Sequence, residues 1–203
     1  MAGSETKIWA AIVLAAGAGR RFGGRKLLAT FEGRPLIAGA LDAAFAAPVR
    51  RVILVIDGDP DLATIARDHA QALGREADLN VVTATDAAEG MGASLRTAVA
   101  ALPADVDGAF VFLGDMPRIP AGLAQALAEA MEPGVDLAAP RFEGRRGHPV
   151  LFGRTCFPAL LALAGDVGAR EVLAKAGERL ALVDSSDAGV MFDVDRREDL
   201  DGR

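Results

Sequence analysis

The chain has 203 residues, with 22 Lys+Arg against 28 Asp+Glu and a formal net charge of −6. Hydrophobic residues make up 51% and charged residues 25%, which excludes disorder, and the length suffices for one core without disulfides or metal. The acidic balance excludes a groove for long nucleic acid, and 5% aromatics with no Tyr exclude a base-stacking platform.

The apolar run 8–18 is shorter than the roughly 18 residues a membrane span needs. Lys7 before it invites a secretory-signal reading, but strongly basic sequence follows at once. A buried strand over 9–15, apolar on both faces, is the better reading. With a single cysteine, Cys156, it implies a cytoplasmic protein in a reducing compartment. A Gly/Arg loop covers 17–25. Helical spacing over 35–47 puts Leu36, Ala40, Leu41, Ala44 and Phe45 on one side, with Pro35 in the first turn. A second buried strand spans 51–56 and ends in Asp57-Gly58-Asp59. A helix follows over 59–73, closed by Gly74, then a strand over 79–84. Glu89-Gly90 leads into a helix over 91–102. The strand 108–113 ends in Gly114-Asp115-Met116-Pro117, before a helix over 120–131.

Strands alternating with helices predict a doubly wound, mostly parallel sheet. The later part differs. Extended pieces at 136–140 and 147–152 flank a Gly/Arg turn, as in an antiparallel hairpin at one side of the sheet. Short helices near 155–163 and 167–176 precede a strand at 180–183. The apolar segment at 190–195 leads into a terminal helical turn. No linker or repeat interrupts residues 1–203, so one domain is expected.

Ligands of open parallel sheets bind beyond the carboxyl ends of the strands. After the first strand, Leu14, Ala15, Ala16, Gly17 and Gly19 leave room for close backbone approach. Arg20, Arg21, Arg25 and Lys26 add positive charge in an acidic chain, and a polyphosphate ligand explains both economically. A solvated Gly-rich turn is the plainer alternative. Neither common phosphate motif fits. Phe22 stands where a dinucleotide loop needs its third glycine, and Leu27 stands where a Walker loop needs Ser/Thr.

Asp115 closes a buried strand and suits Mg²⁺, which takes one or two carboxylates plus phosphate oxygens and water; it equally suits a turn or cap. Asp193 and Asp195 alternate along 190–195, so a persisting strand would put both on one side; a solvated cap is the alternative. Gly90 to Ser94 forms a loop-to-helix transition with donors for a base edge or phosphate, or simply a first helical turn. His148 either contacts a substrate phosphate or fixes the hairpin, and His69 reads as a surface residue. A lone histidine is no zinc site, and Cys156 has no base partner in sequence.

The loop from Leu14-Ala-Ala-Gly17 through Arg25-Lys26-Leu27 resembles that of MobA-like nucleotidyltransferases, most closely the molybdenum cofactor cytidylyltransferases. Further similar segments follow in order: 89–96, Leu113-Gly-Asp-Met-Pro117, 145–152, 165–170 and Phe192-Asp-Val-Asp195. The resemblance implies a Rossmann-like three-layer α/β/α fold with a small β-hairpin insertion, like that of the nucleotide-diphospho-sugar transferases. It implies Mg²⁺-dependent transfer of CMP from CTP to molybdenum-molybdopterin, giving the cytosine dinucleotide and pyrophosphate. By resemblance Lys26, Arg20 and Asp115 are catalytic. Leu14, Ala15, Ala16, Gly17, Gly19, Asp86, Gly90 and Ser94 join Lys26 in holding the nucleotide. Asp115, Asp195 and Asp193 are the metal residues, Asp195 before Asp193. Arg146, His148, Asp166 and Arg170 face the pterin, and a molybdenum hydroxylase is the implied client. Leu-Ala-Ala-Gly is the cytidylyl form of the loop, where guanylyl relatives carry Leu-Ala-Gly-Gly. Gly92-Ala93 and Arg196 depart from the usual pattern. The alternatives are another NTP or acceptor (GTP with molybdopterin, a sugar phosphate or a phosphonate), or a non-catalytic cofactor carrier.

Overall fold

The centre of the sheet is β1 (Trp9–Ala15), flanked in parallel by β4 (Val49–Ile56) on one side and β6 (Gly108–Leu113) on the other. Its residues are apolar throughout because both faces are covered. Trp9, Ala11 and Val13 pack on one face, and Ala10 and Ile12 on the other. In this computed structural model the described residues are 7–17, 22–165 and 169–201. Gly19, Arg20 and Asp166 lie outside them.

Between β1 and β4 a short antiparallel hairpin joins β2 (Thr30–Phe31) to β3 (Arg34–Pro35). Its turn is Glu32-Gly33, both at positive φ (49° and 80°), as a two-residue turn of matching twist requires. The remaining strands are β5 (Leu79–Thr83), β7 (Leu137–Phe142), β8 (Arg145–Arg146), β9 (Val150–Gly153) and β10 (Leu180–Asp184). Among the described residues the main sheet has eight strands, ordered β10-β7-β9-β6-β1-β4-β5, with β8 paired to β7.

Helices cover both faces. On one lie α1 (Ile37–Ala46), α2 (Pro60–Ala72) and α4 (Leu123–Glu129), burying residues such as Leu41, Ala66 and Leu127. On the other lie α3 (Met91–Ala100), α5 (Phe157–Leu161) and α6 (Arg170–Lys175), with Leu95 and Leu160 buried and Leu173 packed against that core. This is a three-layer α/β/α, Rossmann-like arrangement. The Asp59 carboxylate accepts from the Asp61 amide at 2.9 Å and caps α2, with Pro60 in its first turn. Among the described residues no helix is long and apolar enough to cross a membrane.

Three elements differ from the sequence expectation. The helix expected over 120–131 begins only at Leu123, because Gly122 turns the chain through φ +78°. The later hairpin is β7–β8, turning at Glu143-Gly144, and β9 is not at one side of the sheet. It runs antiparallel inside it, between β6 and β7. Finally, 190–195 is no strand. A 3-10 turn at Ala188–Met191, capped by Asp187 onto the Gly189 amide (2.7 Å), leads into irregular backbone.

Helix α1 rests directly on the turn that follows β6. A Cβ on Gly39 would overlap the carbonyl oxygen of Pro117 and lie 2.6 Å from its Cα. Gly39→Ala therefore forces helix and turn apart. We expect a loss of about 1–3 kcal/mol, typical of overpacking, read as a lower urea midpoint with unchanged slope. An unshifted midpoint would show that the turn yields freely.

Candidate active site

Strands β1 and β6 end side by side. The Gly114 amide donates to the Leu14 carbonyl at 2.9 Å, carrying the ladder one residue past β6. The space suits glycine, since a Cβ would stand 2.8 Å from Ile37 Cδ1 and 3.0 Å from the Leu14 oxygen and would make both give way. Asp115 follows immediately, held in a turn by the Met116 amide on the Leu113 carbonyl (3.1 Å). Lys26 opens the 3-10 turn Lys26–Leu28, which buried Leu27 anchors. Arg25 ahead of it adopts a left-handed conformation, φ 48°.

The Lys26 ammonium donates to Asp115 Oδ2 at 2.6 Å and lies 3.7 Å from Asp195 Oδ1. Its side chain is only 12% exposed, against 24% for Asp115 and 46% for Asp195. Solvent therefore screens this pair less than an exposed one. Asp195 arrives although its segment is not a strand. Val194 is fully buried between the two acidic residues, and its amide donates to the Asp115 carbonyl at 3.0 Å. The Asp199 carboxylate accepts from the Asp195 and Arg196 amides (2.8 and 2.6 Å), fixing the turn behind. Partial burial pushes Asp193 above the ordinary carboxylate range. The carboxylates of Asp115 and Asp195 add to the shift, while a backbone hydrogen bond and Lys26 oppose it.

Two carboxylates converge on one ammonium here, and hard oxygen donors suit Mg²⁺ or Mn²⁺. The residues fit such an ion with the ammonium as stand-in. Among the described residues no three His, Cys, Asp or Glu side chains would hold a metal by themselves.

A cleft of about 420 Å³ opens beside this group. It is lined by Leu14, Ala15, Ala16, Gly17, Lys26, Gly90, Ser94 and Asp115, all expected from sequence. Leu27, Ala87, Ala88, Met91 and Leu113 complete it; Leu27, Met91 and Leu113 lie in the motif segments but were not singled out, and Ala87 and Ala88 carried no signal beyond small size. Gly90, at φ 120° and ψ −177°, starts α3, and Ser94 is buried in its first turn. A larger, more open hollow of about 570 Å³ lies by Phe22, Arg25 and Asp61. It lacks the carboxylate group, and Arg25 there is paired with Asp61 and Asp59. The cleft over Lys26 is therefore the candidate site.

Asp86 does not line the cleft. It is bound by Arg96, whose hydrogen bond holds its carboxyl below the ordinary range. Arg96 also donates to the Leu163 carbonyl at 2.8 Å. Gly92 has a steric reason: a Cβ would lie 2.7 Å from the Gly165 oxygen, so glycine lets 164–165 close over α3.

Of the residues expected to face the acceptor, His148 feels the charges of both Arg170 and Asp115. His148 precedes β9, whose antiparallel course puts its beginning at the edge where β1 and β6 end. Burial pushes the imidazole below its ordinary value, and Arg170 contributes; a hydrogen bond to the Val111 backbone and the charge of Asp115 oppose this. Its Nδ1 is buried without a partner among the described residues, while its backbone amide donates to the Val190 carbonyl (2.9 Å). Arg146 stands exposed on β8, opposite Arg141. His69 is not a free surface group; its Nε2 lies 2.9 Å from Asp42 and its ring stacks on Phe45. Burial pushes the Cys156 thiol up, as expected of an inert cysteine.

The MobA-like NTP transferase domain model matches residues 11–180. The purine catabolism protein PucB of Bacillus subtilis is 32% identical, covering 94% of this chain and 93% of PucB. Rv0371c of Mycobacterium tuberculosis is a solved neighbour with a TM-score of 0.78 at 26% identity, covering 98% of each chain. It has also been solved in complex with manganese (TM-score 0.65, 25% identity, 89% of each chain). A Methanothermobacter nucleotidyl transferase shares the fold, with a TM-score of 0.75 at 22% identity over 96% of this chain and 94% of the other. The chain belongs to the MobA-like NTP transferase family and is a nucleotidyltransferase by that membership.

The Asp193 shift has a consequence for stability. Its folded pKa lies above the ordinary aspartate value of about 3.8, so the folded state holds the proton more tightly. The folded protein therefore loses stability as pH rises from about 3.8 through the folded pKa. Asp193→Asn should be more stable than the wild type at neutral pH in EDTA, with the difference vanishing below that window. Urea unfolding across pH tests this; parallel stability curves would refute it.

Proposed function

We propose that residues 1–203 act as one Mg²⁺-dependent cytidylyltransferase domain. It transfers CMP from CTP to the phosphate of molybdenum-molybdopterin, releasing pyrophosphate. The observation carrying this reading is the convergence of Lys26, Asp115 and Asp195 at the shared end of β1 and β6. The first loop, with Leu14-Ala-Ala-Gly17 in the cytidylyl form, supports CTP as donor.

In this reading an oxygen of the acceptor phosphate attacks the α-phosphorus of CTP. A new P–O bond forms, the α–β bridging bond breaks, and the pair of electrons leaves with pyrophosphate. No general base is needed, because a phosphate monoester is largely ionised at neutral pH. The protein's part is positioning and charge neutralisation. Main-chain N–H groups around Gly17 and the Lys26 ammonium hold the β- and γ-phosphates and stabilise the leaving group, with Gly19 and Arg20 assigned to the same loop. Gly90 and Ser94 at the head of α3 hold the nucleotide from the far wall of the cleft, with Asp86 behind them. Asp115 and Asp195, with Asp193 beside them, hold Mg²⁺, which when bound neutralises charge on the phosphate oxygens. Arg170 supplies positive charge for the acceptor phosphate beside neutral His148; Arg146 and Asp166 belong to the same acceptor side. The dinucleotide would pass to a molybdenum hydroxylase. A cytoplasmic location belongs to this reading, supported by a single buried cysteine.

The test is pyrophosphate release from each NTP with purified molybdenum cofactor, read with product mass. CTP and the cytosine dinucleotide are expected. Preference for GTP, or turnover only with a sugar phosphate, would replace the donor or acceptor; pterin binding without turnover would leave a carrier. In the same assay Asp115→Ala should lower kcat by at least about 10³-fold with unchanged circular dichroism, as loss of a charge-stabilising group does. Wild-type turnover in that variant would remove Asp115 from the metal role.

A further inference from the structure

Lys26, Asp115 and Asp195 ride on three separate segments, and the segment carrying Asp195 belongs to no strand. One side chain touches all three. Arg118 follows Asp115 by three residues. Its guanidinium carbon lies 4.7 Å from the ring centre of Phe192, next to Asp193, and 5.2 Å from that of Phe31, in the hairpin after the Lys26 turn. The two rings are 6.0 Å apart. Arg118 Nη2 and Nε also donate to Glu32 Oε1, at 2.7 and 3.2 Å, in that hairpin's turn. The backbone contact is equally close: a Cβ on Gly189 would overlap the Arg118 carbonyl oxygen.

We infer that Arg118 is a positioning residue that sets the distance of Asp195 from Asp115 and Lys26 by clamping Phe192 and Phe31 on its guanidinium. The inference rests on the proposed cation site. The physical argument is one of shape. A planar guanidinium presents a face to aromatic rings while its edge donates to a carboxylate; an ammonium does not do both in this geometry. The Glu32 ion pair is exposed and contributes little energy by itself, so the clamp acts through geometry. Phe192 is held one residue before the acidic pair, so loosening it moves both carboxylates while leaving the first loop in place.

The test compares the wild type with Arg118→Met, Arg118→Lys and Phe192→Leu in the full chain, with metal binding and amide exchange read before any nucleotide is added. Mn²⁺ affinity, titrated by electron paramagnetic resonance, should fall about 10–100-fold in Arg118→Met, the range for loss of an outer-shell partner. Amide exchange at Val194, whose N–H reports the contact with the Asp115 carbonyl, should quicken about tenfold, a 1.4 kcal/mol change. CTP affinity in EDTA should hold, so that kcat falls more than KM rises. Arg118→Lys should restore neither Mn²⁺ affinity nor Val194 protection. Unchanged Mn²⁺ affinity and unchanged Val194 exchange in folded Arg118→Met overturn the proposal. If Arg118→Met does not fold, Phe192→Leu carries the same expectations and the same refutation. Asp115→Asn serves as the separate control. If it leaves Mn²⁺ affinity intact, the cation-site reading fails, and Val194 exchange still decides whether Arg118 holds the segment.

Discussion

One ammonium among several carboxylates is the constraint on which this site depends. Asp115, Asp193 and Asp195 gather at one end of the sheet, and like charges at such spacing repel. Lys26, nearly covered and 2.6 Å from Asp115, is what makes the gathering tolerable. Much of the surrounding fold serves that meeting. Gly114 lets β6 end flush against β1, and Gly39 lets α1 press on the turn behind Asp115. Val194 ties the C-terminal segment to the Asp115 backbone. Asp193, raised first by its partial burial and then by the neighbouring carboxylates, holds its proton more tightly than an ordinary aspartate. The same ammonium meets carboxylates in this structure and, in the proposed reaction, a triphosphate.

The cleft explains how a chain with few aromatics handles a nucleotide. Its walls are small residues and backbone, from Leu14 to Gly17 on one side and from Ala87 to Ser94 on the other. Recognition on such a surface relies on main-chain donors and charge in place of stacking. The low aromatic content thus excludes a polymer platform while leaving room for a single nucleotide. Family membership agrees with a nucleotidyltransferase.

The parallel half of the fold was legible because β1, β4 and β6 are buried on both faces, and unbroken apolar runs leave little else to be. The first loop, Lys26 and Asp115 were legible because they follow such strands directly. Other features depend on contacts remote in sequence. The beginning of β9 lies at the ligand edge only because that strand is antiparallel, so a search of carboxyl ends passes over His148. The expected strand through Asp193 and Asp195 is absent; buried Val194, not a strand ladder, separates the two acidic residues. Asp86 has a carboxylate in a suitable loop, yet Arg96, ten residues on, binds it. Arg118 carried no sequence signal, since its partners Phe31 and Phe192 lie far away on either side.

The insertion of β9 between β6 and β7 bears on how the molecule comes into being. A ribosome delivers β1, β4, β5 and β6 first, and these strands already form a continuous parallel block with Lys26 and Asp115 at its edge. Strands β7 and β9 are added to one flank of that block, and the residues around Val194 arrive after them. Lys26 and Asp115 thus lie in or beside a block of strands that is contiguous both in sequence and in the sheet, whereas Asp195 comes from a much later segment. The cluster of one ammonium and two carboxylates cannot be complete before residue 195 has been synthesised and docked.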